Sequence, residues 1–383
     1  MKKNKIVLIN QASGYLTLDI ANAFANSGNY ARINLITSWV RVQENELSSE
    51  VKLTKTIYHS RKSNLHRIIR WVLASLHIYL LLATRFRRYE VFFISVPPMS
   101  YWWGFFMKRK FSILIFDVYP DILSTFGVKA SNPIYRFWSW VNKKVFRKAH
   151  RLFTLSDGMK EQLKQYTDET EKIHVINNWS GFTKIVRIPH EENEFRKAHV
   201  AKEKFLVQYS GNVSASHNTD IMLQLAERLK AHDDQIAFQI IGRGNYFEVL
   251  KKKAVDSGLT NIQFLPFQDD SLLYQVFSAS DLSLVLVGKD VANISVPSKL
   301  YNLQSVGTPI LGIAPSGAEL EKHLRKYQNG TSFEPGQLDE VSAYILRLAS
   351  DSKLHQNLVA RSMDTAQYFS FTQAENYYKL HVT

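Results

Sequence analysis

Three short segments in the second half of the chain place glycine, amide and cationic residues at the ends of apolar runs, the chemistry needed to hold a diphosphate. In Phe205-Leu206-Val207-Gln208-Tyr209-Ser210-Gly211-Asn212, a glycine after a buried strand lets the backbone approach a phosphate. The helix that follows offers free N–H groups at its positive end. The same turn occurs in many strand-to-helix units, so a purely structural role stands beside the binding one. Ile241-Gly242-Arg243-Gly244 repeats the arrangement with a guanidinium that can reach a diphosphate. In Val296-Pro297-Ser298-Lys299, Pro297 and Ser298 read as a helix start that leaves Lys299 in the first turn. A cation at the positive end of a helix is unfavourable unless an anion neutralises it or it is simply solvated.

In the first half, Asp117 and Asp121 of Phe116-Asp117-Val118-Tyr119-Pro120-Asp121 follow a strongly apolar run. A carboxylate there can orient or deprotonate a hydroxyl. Asp121 also stands where a helix N-cap is expected, before Ile122 and Leu123, which leaves Asp117 the stronger catalytic candidate. Ser13 and Gly14, in the first strand-to-helix turn, are placed to line an acceptor by position alone. The twelve histidines show no HExxH spacing and there is no DxD triplet, so no essential metal is expected.

These residues need elements to hold them, and the chain alternates between two periodicities. KIVLIN, RINLITS, YEVFFIS, FSILIFDVYP and RLFTLS read as strands, separated by helical stretches that include 64–86 and 134–149. A second series follows with FLVQYSG, IAFQIIGRG, IQFLPF, LSLVLV and TPILGI. Alternation of this kind argues two Rossmann-like α/β domains with parallel sheets, facing across a cleft that suits a reaction joining two substrates. The expected divisions are an acceptor- and membrane-facing domain over 1–180, a polar linker over 181–202, and a donor-binding domain over 203–365. A C-terminal helix over 366–383 is placed to pack back on the first domain.

Composition bounds the rest. The 383 residues are 45% hydrophobic and 21% charged, ordinary for folded domains, and contain no cysteine. Disulfides, thiolate metal sites and cysteine nucleophiles are thereby excluded. No signal peptide is expected, and the longest apolar run, Trp71 to Ala83, is shorter than a bilayer span, so no transmembrane helix is expected either. The net charge of +14 is uneven: residues 1–180 hold 27 Lys+Arg against 12 Asp+Glu, and the remainder is almost neutral. Two basic segments interleave apolar residues with cations, the first of them at helical spacing. The first carries Leu65, Ile68, Ile69, Val72, Leu76 and Tyr79. The second carries Phe137, Trp138, Trp140 and Phe146 among Lys143, Lys144, Arg147, Lys148 and Arg151. They suit the interface of an anionic bilayer, or else they are sheet-covering helices with solvated charges. No nucleic-acid motif accompanies the charge, and nucleic acid is not an expected partner.

In order, QYSGN, FQIIGRG, IQFLPF, SASDLSLVLV, VPSKLYNLQSVGTPIL and APSGAE resemble the donor domain of glycosyltransferase family 4, which has the GT-B fold. IFDVYPDIL and RKAHRLFTLSDGMKEQL resemble its bacterial O-antigen, capsule and exopolysaccharide branch. The resemblance implies that Gly211 and Asn212 face the diphosphate of a nucleoside-diphosphate-sugar, that Arg243 and Lys299 neutralise it, and that the backbone around Leu265 to Phe267 reads the base. It implies retaining transfer to a polyprenyl-linked or other glycan acceptor, by a peripheral protein on the cytoplasmic face of the membrane. One departure stands out. The family's two glutamates, eight residues apart, fall here on Ile294 and Asn302, counted back from Gly307. Asn302 keeps the ability to hydrogen-bond a ribose or phosphate. A GT-B nucleotide-sugar epimerase is the competing enzyme class, and the missing glutamate pair leaves open a non-catalytic nucleotide-sugar-binding protein.

Overall fold

A computed structural model describes residues 4–59, 63–201, 204–214, 218–289, 292 and 297–383. Two compact units divide the chain, one of Met1–Gly181 with Phe371–Thr383 and the other of Phe182–Ser370.

In the first unit, β1 (Asn4–Ile9) leads through β2 (Ala12–Ser13) into α1 (Tyr15–Asn26). Next come β3 (Tyr30–Thr37), β4 (Trp39–Val40), β5 (Val51–Lys55), α2 (Asn64–Ala83) and β6 (Glu90–Ile94). A 3₁₀ turn at Ser100–Phe105 precedes β7 (Phe111–Leu114), and a second at Asp121–Phe126 precedes α3 (Pro133–Lys148). The series closes with β8 (Arg151–Thr154), α4 (Asp157–Leu163) and β9 (Ile173–Val175). Seven strands pair in the order β5-β3-β1-β6-β7-β8-β9, all in parallel. Ile6 to Ile9 of β1 are fully buried because helices cover both faces of such a sheet. The strand order reverses beside β1, so the carboxyl ends of β1 and β6 open at the place where α/β sheets take ligands.

The second unit holds α5 (Glu194–His199), β10 (Phe205–Asn212), α6 (Ile221–Arg228), β11 (Ile236–Arg243), α7 (Phe247–Asp256) and β12 (Ile262–Pro266). After these come α8 (Leu273–Ser278), β13 (Leu282–Leu286), α9 (Lys299–Ser305), β14 (Ile310–Ile313), α10 (Glu319–Tyr327) and β15 (Gly330–Phe333). Two further helices, α11 (Leu338–Ser350) and α12 (Ser352–Ala366), complete it. Its six parallel strands run β12-β11-β10-β13-β14-β15, so the switch point lies beside β10. Both units are the Rossmann-like arrangement expected from the alternation.

Three expectations change. Residues after Gly181 are not a linker, because Phe182 stacks on Tyr274 with ring centroids 4.0 Å apart and the whole segment belongs to the second unit. Arg187 donates to the carbonyl of Ser280 at 2.9 Å, and Arg196 pairs with Asp281 at 2.9 Å in the interior. Most polar side chains of this stretch remain exposed, and Arg187 and Arg196 tie it to the second unit. At the other end, the division falls at Ser370–Phe371, and α13 (Ala374–Val382) lies on the first unit. There His381 is buried, with Ser112 Oγ at 2.7 Å and Glu90 Oε2 at 3.3 Å from its two ring nitrogens.

The third change concerns α2. Leu65–Ala83 is one helix long and apolar enough to cross a membrane by length and composition, where none was expected. The stretch free of Lys, Arg, Asp and Glu starts only at Trp71, but the helix begins seven residues earlier, at the cap where Ser63 accepts from the His66 N–H. Ala74, Ile78 and Leu82 bury one face of it in the first unit.

Arg196→Ala is expected to lower the unfolding free energy of the second unit by about 3–5 kcal/mol, since Asp281 is left as an uncompensated buried charge. Urea denaturation followed by tryptophan-independent circular dichroism checks this, and a loss below about 1 kcal/mol, the worth of a surface pair, would show that the segment is not held by this bridge.

Candidate functional site

In the second unit the ends of β10 and β11 stay paired to their last residues, Gly211 against Gly242 and Asn212 against Arg243. That tight approach needs glycine: a Cβ on Gly242 would sit 2.0 Å from the Gly211 carbonyl oxygen. Gly211 has φ +154°, and the space beside it leads to Lys299 Nζ, 3.8 Å from where a Cβ would lie. Lys299 is the first residue of α9, and its ammonium lies 3.8 Å over the Tyr209 ring and 3.4 Å from the Ser210 carbonyl oxygen. Among the described residues no carboxylate pairs with it. Burial of the amine end pushes Lys299 down to about 7, even though the side chain as a whole is only half-buried. Ser298 precedes it as an exposed N-cap with no side-chain cap bond, and Asn302 lies three residues on, on the same face of α9. Arg243 is exposed, its guanidinium 4.4 Å over the Phe267 ring just beyond β12. Leu265, in register with Ile241, is half-buried beside them. The strand ends thus gather Gly211, Asn212, Arg243, Leu265 and Phe267, with Lys299 brought in by α9. Ile294 lies outside the described residues.

In the first unit Asp117 follows β7 with its side chain exposed, yet dense surroundings raise its carboxyl above the ordinary range, opposed by the Arg67 guanidinium of α2. Solvent access to the carboxylate keeps that upward push modest. Gly14 caps α1 with open space where a side chain would be. Two expected site residues do other work. Asp121 accepts from Tyr135 Oη at 2.8 Å and Gln165 Nε2 at 3.1 Å, and also from the Tyr166 hydroxyl, so its carboxylate is consumed in holding α3 and the turn after α4. Ser13 is fully buried and its hydroxyl contacts the Asn10 carbonyl and Thr37 Oγ1, which removes it from any acceptor surface. Lys143, Lys144, Arg147 and Lys148 are exposed along α3, Arg147 pairing with Asp168 at 3.0 Å. Among the described residues no three carboxylates or histidines gather as a metal site.

The family described as glycosyl transferases group 1 matches residues 190–364, most of the second unit. The chain is 23% identical over 288 residues to the probable glycosyltransferase WbjE of Pseudomonas aeruginosa, covering 74% of this chain and 70% of that protein. It is 27% identical over 217 residues to the putative colanic acid biosynthesis glycosyl transferase WcaI of Escherichia coli strain K12, covering 55% of this chain and 53% of that one. The crystal structure of HepE from Anabaena in complex with UDP-glucose has the same fold, with a TM-score of 0.71 at 15% identity over 99% of each chain. The protein is a GT-B glycosyltransferase.

Sequence reasoning missed one contributor to this glycosyltransferase's site, the Tyr209 ring. Its position two residues before Gly211, on the same side of β10, is the signal that marks it, since strand side chains alternate faces. Its face attracts the Lys299 ammonium and takes the place of a counter-charge.

The depressed Lys299 has a measurable consequence. Its folded value lies below its unfolded one, so the stability it contributes is fully present above the unfolded value and is lost as pH falls through about 7. The Lys299→Met glycosyltransferase is therefore expected to be more stable than wild type at pH 6, by roughly 1–3 kcal/mol, with the gap closing towards pH 10. Urea melts across that range measure it. A wild-type protein equally or more stable at pH 6 would place a counter-charge beside the amine.

Proposed function

We propose that the glycosyltransferase moves a sugar from a nucleoside-diphosphate-sugar to a lipid-linked glycan acceptor, at the cytoplasmic face of an anionic membrane, in bacterial surface polysaccharide synthesis. One observation carries the donor half: an ammonium without a carboxylate partner among the described residues, held at the open strand ends beside the Gly211 backbone. A diphosphate is the anion that such a place fits. The name of WcaI, which speaks of colanic acid biosynthesis, and the UDP-glucose bound to HepE support the same reading.

In this reading Gly211 and Asn212 lie against the diphosphate, Lys299 and Arg243 neutralise it, and Ser298 opens the helix beneath it. Leu265 and Phe267 flank the base, and Asn302 hydrogen-bonds the ribose or a phosphate. The bond between the anomeric carbon and the phosphate oxygen breaks, with its electron pair leaving on the diphosphate. The acceptor oxygen forms the new bond to that carbon, and its proton passes to Asp117, a carboxylate open to solvent just beyond β7. Gly14 leaves room for the acceptor. Negative charge grows on the departing diphosphate, so fixed cations there lower the barrier without a metal. We read the transfer as retaining, which has the acceptor oxygen enter on the face of the sugar from which the diphosphate departs.

Release of nucleoside diphosphate from a panel of UDP-, GDP- and dTDP-sugars, with membranes as acceptor source, tests this. Lys299→Ala is expected to lower kcat by about 10²–10³-fold, the scale of losing one fixed donor to a developing anion. Asp117→Asn is expected to lower kcat while leaving donor affinity unchanged. Sugar interconversion without diphosphate release would favour an epimerase, and undiminished turnover in Lys299→Ala would remove the proposed donor site.

A further inference from the structure

The outward face of α2 carries a stripe that the fold leaves uncovered. Leu65, Ile68, Val72, Leu73, Leu76 and Leu80 are each 40–68% exposed, at the three- and four-residue spacing of one helix face. From Leu65 to Leu80 this is roughly 22 Å of apolar surface at the rise of an α-helix. Contiguous apolar surface of that extent on a folded protein marks an interaction site.

The stripe continues into an aromatic ridge. Tyr79 of α2 stacks on Trp103 at 5.4 Å, and Trp103 meets Phe106 at 5.6 Å. Phe106 touches Phe105, which contacts Trp140 of α3 at 5.7 Å. Phe106 and Trp140 are 69% and 48% exposed. Cations border the face, with Arg85, Arg87 and Arg88 just beyond α2 and Lys143 and Lys144 on α3. Neither helix contains an aspartate or glutamate.

We propose that this face, the α2 stripe with the aromatic ridge, inserts into the headgroup and acyl boundary of an anionic bilayer with α2 lying in the membrane plane. The proposal deepens the membrane-surface reading above by naming the inserted side chains. A leucine stripe, amphipathic tryptophans and a rim of cations without carboxylates are complementary to an apolar interior beneath anionic headgroups. Crossing the bilayer does not fit, because Ala74, Ser75, Ile78 and Leu82 are buried in the first unit and Arg67 and Arg70 lie within the same helix. The placement also serves the chemistry. Arg67 acts electrostatically on Asp117, and Trp71 packs edge-on against Tyr119 at 5.9 Å, so the N-terminal turns of α2 adjoin the acceptor-side carboxylate. An α2 lying in the bilayer surface brings Asp117 to the level of a lipid-borne headgroup.

Vesicle sedimentation with phosphatidylglycerol-rich and pure phosphatidylcholine vesicles, at low salt and near 1 M salt, tests the insertion, using the full chain. Two variants separate the contributions: L73Q/L76Q/L80Q on the exposed stripe, and K143Q/K144Q/R147Q/K148Q on α3. Wild type is expected to retain part of its binding in high salt, where the Debye length is only about 3 Å. The leucine variant is expected to lose that salt-resistant part by tenfold or more, and the α3 variant to lose only the salt-sensitive part. Brominated lipids are expected to quench tryptophan fluorescence in wild type and not in the leucine variant. Equal salt-resistant binding by wild type and leucine variant would overturn the proposal. So would a wild-type dimer that the leucine substitutions dissociate, with no vesicle binding, since the stripe would then cover a second copy of the chain. Circular dichroism and UDP binding on the same preparations show that each variant is folded, and keep a failure of docking distinct from a failure of the glycosyltransferase reading.

Discussion

An ammonium group held away from bulk water with no carboxylate beside it among the described residues organises the second unit. Lys299 reaches its position because Pro297 and Ser298 start α9 at the carboxyl edge of the sheet, and it is held by the face of Tyr209 and the carbonyl of Ser210. A protein that tolerates a cation at the positive end of a helix forgoes stability there. Glycine at 211 and 242 is the matching constraint, since the two strand ends approach too closely for a side chain at Gly242 and leave the Gly211 backbone open towards the amine. Charge and space converge on one place, and an anionic ligand satisfies both.

How much of this was legible follows from distance along the chain. The strand ends at Gly211, Gly242 and Phe267, and the helix start at Lys299, are local events written in apolar runs that stop at glycine or proline. Asp121 was misjudged because its partners Tyr135, Gln165 and Tyr166 lie 14 to 45 residues away, beyond any local pattern. Ser13 was misjudged because a position in a turn does not reveal burial, which depends on Thr37 arriving from the neighbouring strand. The segment after Gly181 looks like a linker because arginine is usually solvated, yet Arg187 donates to the Ser280 carbonyl and Arg196 pairs with Asp281 in the interior. Strands β5 and β9 went unread because VKLTK and IHV lie on sheet edges and need little apolar sequence. The family, by contrast, was visible in the order of six segments, each weak alone.

The uneven charge has a structural counterpart. Basic residues concentrate in the unit that also displays an uncovered apolar helix face, while the near-neutral unit holds the strand ends around Lys299. In the proposed reading, segregation of this kind lets each unit meet one partner, a surface for the first and a soluble phosphate ligand for the second. Among the aromatic residues of α3 the fold makes the same division: Trp138 and Phe146 enter the core, whereas Phe137 and Trp140 stay outside. At the turn of an α-helix, Trp138 and Phe146 fall on one side of α3 and Phe137 and Trp140 on the other, and the inward pair packs on Trp102 and Tyr101.

A crystal structure of the protein with UDP, or with whichever of UDP, GDP and dTDP binds, tests the donor site most directly. The expected result is a β-phosphate within hydrogen-bond reach of Lys299 Nζ and the Gly211 backbone, with the base against Leu265 and Phe267. A nucleotide bound elsewhere, with the Lys299 ammonium still resting only on Tyr209 and Ser210, would contradict the assignment.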